Sequence, residues 1–173
     1  MGGSAVTGVM IRNRAAADVP RCIEALAEVH EADRYPIVWP EDPAKWLSPS
    51  NLLDGWIAER SGVIVGHVVL VAGGDAPDGL PSYGQPLATV KRLFVTPTAR
   101  RQGIGERLLA HVQGWAVRSG LSLVLDVVGP GGGAAIALYE RAGWRQTASV
   151  TADWTTPDGH PVTIWYFRPP ETA

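Results

Sequence analysis

The run Arg100-Arg101-Gln102-Gly103-Ile104-Gly105-Glu106 holds the residues best suited to chemistry. It joins a strand-like stretch, Val90-Lys91-Arg92-Leu93-Phe94-Val95, stopped by Thr96-Pro97, to apolar residues at the helical spacing of Ile104, Leu108, Leu109, Val112 and Trp115. The first amides of a helix have no partner within it, and its dipole is positive at that end. Glycines at 103 and 105 carry no Cβ, so a phosphate can approach the backbone closely, with Arg100 and Arg101 adding charge. A glycine-rich helix start that is merely solvated would show the same two glycines. Farther along, Tyr139 offers a phenol and Asp126 a carboxylate on an otherwise apolar strand.

The spacing is more informative than the glycines alone. Arg-x-x-Gly-x-Gly after a strand ending in Leu-Phe-Val-x-Pro resembles the acyl-CoA-binding motif of the GCN5-related N-acetyltransferases (GNAT). A second stretch, Ala134-Ala135-Ile136-Ala137-Leu138-Tyr139-Glu140-Arg141-Ala142-Gly143-Trp144, looks like that family's Ala-x-x-Leu-Tyr-x-x-x-Gly-aromatic segment at the expected distance downstream. The resemblance runs from about Met10 to Arg168. It implies acetyl-CoA as cofactor, bound by Arg100, Arg101, Gln102, Gly103, Ile104, Gly105 and Glu106. Backbone amides near Phe94 and Val95 would hold the pantetheine arm and polarise the thioester carbonyl. Tyr139 would touch the cofactor and act as general acid at the sulfur; the alternative is a buried tyrosine that only packs. Amide formation also needs a neutral amine and a stabilised oxyanion. Many members carry a carboxylate on the central strand where this chain has Thr89, which is no base at neutral pH. Asp126 is then the candidate base, directly or through water; it reads equally as a structural acceptor, and ordered water remains an alternative. Gly132 stands where the family often has an Asn touching the pantetheine arm.

The segment Tyr35–Leu47 places Tyr35, Trp39 and Trp46 among three prolines. The resemblance puts the acceptor site here, with Tyr35 and Trp39 as substrate-binding residues; alternatively Trp39 and Trp46 plug the core under a loop. With Asp33, Glu41 and Asp42 nearby, aromatic faces and carboxylates would suit a cation with an apolar body.

The elements that must position these groups follow from pattern. Met10–Arg12 is an edge strand. A helix capped by Asp18, with Pro20 in its first turn, ends near Asp33. A short helix spans Pro43–Leu47 with Asp42 as cap. Strands over Gly55–Glu59 and Val63–Ala72 flank a Ser61-Gly62 turn, and His67 lies inside the second. Gly73–Pro86 is a surface loop before the central strand. A helix from Gly103 to about Ser119 stops at Gly120; Leu121–Val128 is a strand buried on both faces. The Gly129–Gly133 link, a helix over Ala134–Ala142, a strand from Trp144, a Pro157-Asp158-Gly159 turn and a last strand, Val162–Phe167, complete the order. The fold class is α/β (α+β): a mixed, mostly antiparallel sheet of six to seven strands with helices on both faces. The resemblance implies central strands that splay apart to admit the cofactor.

Composition sets the bounds. At 173 residues, with 46% apolar and 18% charged side chains, the chain suits one domain over residues 10–173 after a flexible leader, residues 1–9. A net charge of −2 gives no general attraction to nucleic acid or an anionic membrane. No apolar run spans a bilayer, no His/Cys cluster has metal-ligand spacing, and one cysteine, Cys22, excludes an internal disulfide; Cys22 reads as packing. Cytoplasmic location follows by elimination. The glycine turn is neither a P-loop nor a dinucleotide fingerprint. Two functions stay open: an N-acetyltransferase for the amine of a small molecule or a protein, and a non-catalytic acyl-CoA-binding module. The resemblance allows a homodimer.

Overall fold

The computed structural model describes residues 8–73, 84–129 and 133–171. Its elements are β1 (Met10–Asn13), α1 (Val19–Asp33), α2 (Pro43–Leu47), β2 (Leu52–Arg60), β3 (Val63–Ala72), β4 (Leu87–Val95), α3 (Ile104–Arg118), β5 (Ser122–Gly129), α4 (Gly133–Arg141), β6 (Arg145–Thr155) and β7 (Pro161–Arg168). The seven strands form one mixed sheet in the order β1-β2-β3-β4-β5-β7-β6. β4 and β5 pair in parallel, while β1–β2, β5–β7 and β6–β7 pair antiparallel. Residues 1–7 of the expected leader, most of the Gly73–Pro86 loop, and Gly132 lie outside the described residues.

The chain divides into two interleaved compact units. The first is Met1–Val69 with Arg92–Leu108; the second is Leu70–Lys91 with Leu109–Ala173. In the first, Cys22, Ala25, Leu26 and Val29 of α1 pack with Leu47, Ile57, Ile64 and Phe94. Cys22 is wholly buried, and loss of hydration pushes its thiol up to about 11, so it is an inert core group, as its pattern predicted. Neighbouring residues of a strand face opposite ways. Ile57 therefore faces α1 and α2, while Ala58 lies on the other face of β2, beside Gly66 and the α3 residues Ile104 and Leu108.

Gly66 marks how closely α3 sits on that face. A Cβ there would meet Leu108 Cδ1 at 3.0 Å, and Ala58 Cβ and Ile104 Cγ2 at 3.2 Å each. Gly66→Val is expected to lower stability by about 1–3 kcal/mol through overpacking. Urea unfolding should show an earlier midpoint at unchanged slope, and an unmoved midpoint would mean that α3 does not press on β3.

In the second unit, Leu123, Val124 and Leu125 are all buried, as a strand covered on both faces requires. β4 and β5 share four register positions, Leu87–Val90 against Ser122–Leu125, although the strands run on to Val95 and Gly129.

The reading of Asp18 as a helix cap is overturned. A 3-10 turn, Ala16–Asp18, leads straight into α1, and the Asp18 carboxylate makes no capping bond to the helix. It accepts instead from Arg12 Nη1 and Nη2 at 2.8 and 2.9 Å, from Arg21 Nη2 at 2.7 Å and from the Ala15 amide at 2.7 Å. Charged partners outcompete a neutral amide for a carboxylate. Asp42 does cap α2, accepting from the Lys45 amide at 3.1 Å, with Pro43 in the first turn.

Candidate active site

The glycine turn belongs to the first unit. β4 ends where the Thr96 amide donates to Val65 O at 2.9 Å, and a 3-10 turn, Pro97–Ala99, carries the chain to Arg100. Arg101 and Gly103 both adopt left-handed backbone, at φ +61° and +73°, on either side of Gln102. Alternation of this kind turns successive amides toward one concave side. The Gly103 carbonyl accepts from the Arg107 amide at 3.0 Å, which closes the first turn of α3. Helix geometry leaves the Ile104 and Gly105 amides without a partner four residues earlier. Ile104 is buried and anchors the turn, whereas the missing Cβ of Gly103 would meet no atom of the described residues beyond its chain neighbours within 4 Å. Glu106 lies in the first turn of the helix.

Two side chains of the turn have partners within the protein. Arg100 donates through Nε and Nη2 to Val95 O, at 3.2 Å each, and its Nη2 pairs with the Asp33 carboxylate. Gln102 Oε1 accepts from Arg60 Nη1 at 2.6 Å. The exposed cation of the turn is therefore Arg101.

Phe94 is buried, so only its backbone can face a ligand. Its ring stacks on His67, centroids 5.0 Å apart and planes 16° off parallel. Two residues earlier, Arg92 takes left-handed backbone, φ +55°, inside a strand. His67 is wholly buried between Arg92 O and Arg14, and burial pushes its imidazole down to about 3. Arg14, His67 and Arg92 were not among the residues singled out for a site. They come from the end of β1, from β3 and from β4, and the one local signal was a histidine within an apolar strand.

Asp126 and Tyr139 belong to the second unit. Asp126 accepts from Lys91 Nζ at 2.6 Å, both side chains being partly exposed. Tyr139 lies on α4 with its ring 5.8 Å from that of Phe167, tilted by 55°. Its carbonyl accepts from the Trp144 amide at 2.9 Å, and the left-handed Gly143 ends the helix there. Thr89 is buried and donates its hydroxyl to Gly73 O.

The aromatic segment packs in the first unit. Tyr35, Trp39 and Trp46 are partly buried against the α1–α2 core. Trp39 lies 5.3 Å from His30, and Tyr35 meets Trp46 nearly edge-on at 5.9 Å. Ile37 and Val38, at the tip of the segment, are 81% and 78% exposed. Of the carboxylates expected to attract a cation, Asp33 is paired with Arg100, and Asp42 with the α2 amide and Lys45.

Comparison with known proteins then bears on these features. The model of the Acetyltransferase (GNAT) family matches residues 21–144. An "IAA acetyltransferase" of Azospirillum brasilense is 41% identical over 88 residues, 51% of this chain and 52% of the relative. A "Mycothiol acetyltransferase" of Cellulomonas flavigena is 32% identical over 122 residues, 67% of this chain and 32% of the relative. The chain thus spans about half of the first relative and a third of the second. The structure of Arabidopsis thaliana NAA60 in complex with acetyl-CoA superposes with a TM-score of 0.69 at 19% identity, covering 92% of this chain and 97% of that one. At that identity the likeness is one of fold.

Proposed function

The chain belongs to the acetyltransferase (GNAT) family, and from that premise we propose that it moves an acetyl group from acetyl-CoA to the primary amine of a small molecule with an apolar body. The observation that carries this is the turn at Arg101–Gly105, with its two left-handed residues, its helix start and the open side of Gly103. A diphosphate there would meet the amides of Gly103, Ile104 and Gly105 and the charge of Arg101. Acetyl-CoA supplies the activated acyl group as a thioester. The backbone at Phe94 and Val95 would polarise its carbonyl, and Tyr139 would give its proton to the departing thiolate. Asp126 would take the proton of the amine through water, its orientation fixed by Lys91.

The aromatic segment supports the apolar part of the acceptor. Ile37 and Val38 add exposed apolar surface to the faces of Tyr35 and Trp39. A cationic acceptor has less support, because Glu41 alone among the three carboxylates has no ion pair or cap among the described contacts. The two curated relatives are named for different acceptors, so neither name supplies this one. A reducing cytoplasm suits a chain whose one cysteine is buried; among the described residues no helix is long and apolar enough to cross a membrane.

A panel of amines with acetyl-CoA, followed by CoA release, tests the reading. Release with an apolar primary amine supports it. Acetyl-CoA binding with no release on any amine would leave only a binding module. Tyr139→Phe is expected to lower kcat by about 10- to 100-fold while the Kd for acetyl-CoA stays within about twofold. Unchanged turnover would remove Tyr139 from the mechanism.

A further inference from the structure

Arg92 holds a backbone conformation that disfavours any side chain, since left-handed φ costs an L-residue roughly 1–2 kcal/mol. It does so in the middle of β4, so neighbouring groups must enforce it. Three of its contacts bear on this. Its carbonyl lies 2.8 Å from His67 Nδ1, its Nε donates to Trp46 O at 3.0 Å, and its guanidinium carbon lies 3.8 Å from the centroid of the Trp46 ring.

The chemistry of the partners assigns the histidine tautomer. A carbonyl only accepts, so Nδ1 carries the proton and donates to Arg92 O. Nε2 then presents a lone pair, and Arg14, which only donates, fills it from Nη1 at 2.8 Å. With that lone pair occupied, His67 is no base for an acceptor amine. Arg14 continues to Leu47 O at 2.9 Å and to Ser48 Oγ at 2.6 Å. The contacts therefore close on themselves: from the end of α2 through Arg14, His67 and Arg92, and back to Trp46 of α2. Arg92 reaches the Trp46 carbonyl and Arg14 the Leu47 carbonyl, so the two arginines grip consecutive residues of the helix.

We infer that Arg14, His67 and Arg92 are positioning residues that lock α2 and its Trp46 to the bend in β4. The bend sets where the backbone of Phe94 and Val95 lies, and α2 sets the wall beside the aromatic segment. The lock thus fixes the acyl-holding strand relative to the acceptor wall. This rests on the function proposed above, in which that strand holds the thioester and that segment meets the amine. A misplacement of about 1 Å at such a site can cost on the order of a hundredfold in rate.

Two substitutions split the two bonds of His67. His67→Asn keeps an N–H at the Nδ1 place for Arg92 O and loses the acceptor for Arg14. His67→Gln puts an oxygen at the Nε2 place for Arg14 and loses the donor to Arg92. Steady-state kinetics with an accepted amine should show both variants down at least about tenfold in kcat, since each breaks one bond of the closed set, with Kd for acetyl-CoA within about twofold. Arg92→Lys, which keeps the charge on a partly exposed side chain, should raise KM for the amine about tenfold and leave KM for acetyl-CoA unchanged. Thermal melts run alongside, and Arg92→Lys decides the matter if the His67 variants fail to fold. A kcat within about threefold of wild type in either His67 variant, or an unchanged amine KM in Arg92→Lys, overturns the lock. A wild type that neither binds acetyl-CoA in calorimetry nor releases CoA overturns the functional reading itself, and the lock with it.

Discussion

Gly103→Asn is expected to weaken acetyl-CoA binding about a hundredfold, near 3 kcal/mol, in a protein that still folds. Asparagine is among the side chains that best tolerate left-handed backbone, which position 103 requires at φ +73°. Among the described residues beyond its chain neighbours, no atom lies within 4 Å of the Cβ it would add, so the described fold gives no steric objection. What the side chain would fill is the open side of the turn, over the amides of Gly103, Ile104 and Gly105, where the diphosphate is proposed to sit. Gly120 provides a matched control, since it too is left-handed, at φ +68°, with nothing within 4 Å of its missing Cβ. Gly120→Asn should share any backbone penalty and leave the affinity alone. Calorimetric titration of both variants, each with a thermal melt, reads the result. Equal affinities in the two would mean that the turn at Gly103 is no anion site, and the acetyl-CoA reading would lose its main support.

The features legible beforehand were those written in neighbouring residues. The glycine turn, the Asp42 cap with Pro43 behind it, and Gly143 at the end of α4 each need only a few consecutive positions, and each stands where its local chemistry puts it. The element order followed because strand and helix periods differ and Gly and Pro punctuate between them. Charged side chains were another matter. Asp18 looked like a cap because an aspartate before a helix commonly is one; it is bound by Arg12 and Arg21 instead, and Arg12 also reaches Glu59, 47 residues away. Arg100 was expected to meet phosphate because of its place in the motif; its pairing with Asp33, at the end of α1, is a partner that the motif did not signal. The bend at Arg92 had no local sign at all. A left-handed arginine inside a strand contradicts its own backbone preference, and the contacts to His67 and Trp46 help to hold it there. Pairings of this range depend on which strands become neighbours, and spacing along the chain does not carry that. The same limit applies to the aromatic segment. Tyr35 and Trp39 were expected to meet substrate, and they do pack on the core; the exposed part is Ile37 and Val38 between them.

A second large effect should appear in acid, and it isolates one residue. Burial and the neighbouring Arg14 and Arg92 charges keep the imidazole of His67 neutral, down to about 3, although the Arg92 carbonyl opposes them; in the unfolded chain it titrates near its ordinary 6.5. Between those values the unfolded state binds the extra proton, so stability falls as pH falls. The contribution of His67 is therefore fully present above about pH 6.5 and is lost progressively toward pH 3. Linkage gives a loss of about 2 kcal/mol between pH 7 and pH 5, and about 3 kcal/mol by pH 4, a large fraction of the stability of an ordinary domain. Asp18 acts lower on the scale. Its bonds to Arg12, with the Ala15 amide and Arg21 in support, hold its carboxyl well below the usual carboxylate range, so its stabilisation is present above the unfolded carboxylate value and is lost only as pH drops below it. At pH 5 the loss thus belongs to histidine chemistry and not to Asp18. Urea unfolding of wild type and His67→Asn at pH 7, 6, 5 and 4 separates the two, because asparagine does not titrate and all other groups are shared. The variant should start less stable at pH 7, having lost the bond to Arg14, and close the gap on the wild type by about 2 kcal/mol at pH 5. Parallel curves across that range would mean that His67 is solvated enough to take a proton in the folded protein, and its lone pair would then not be reserved for Arg14.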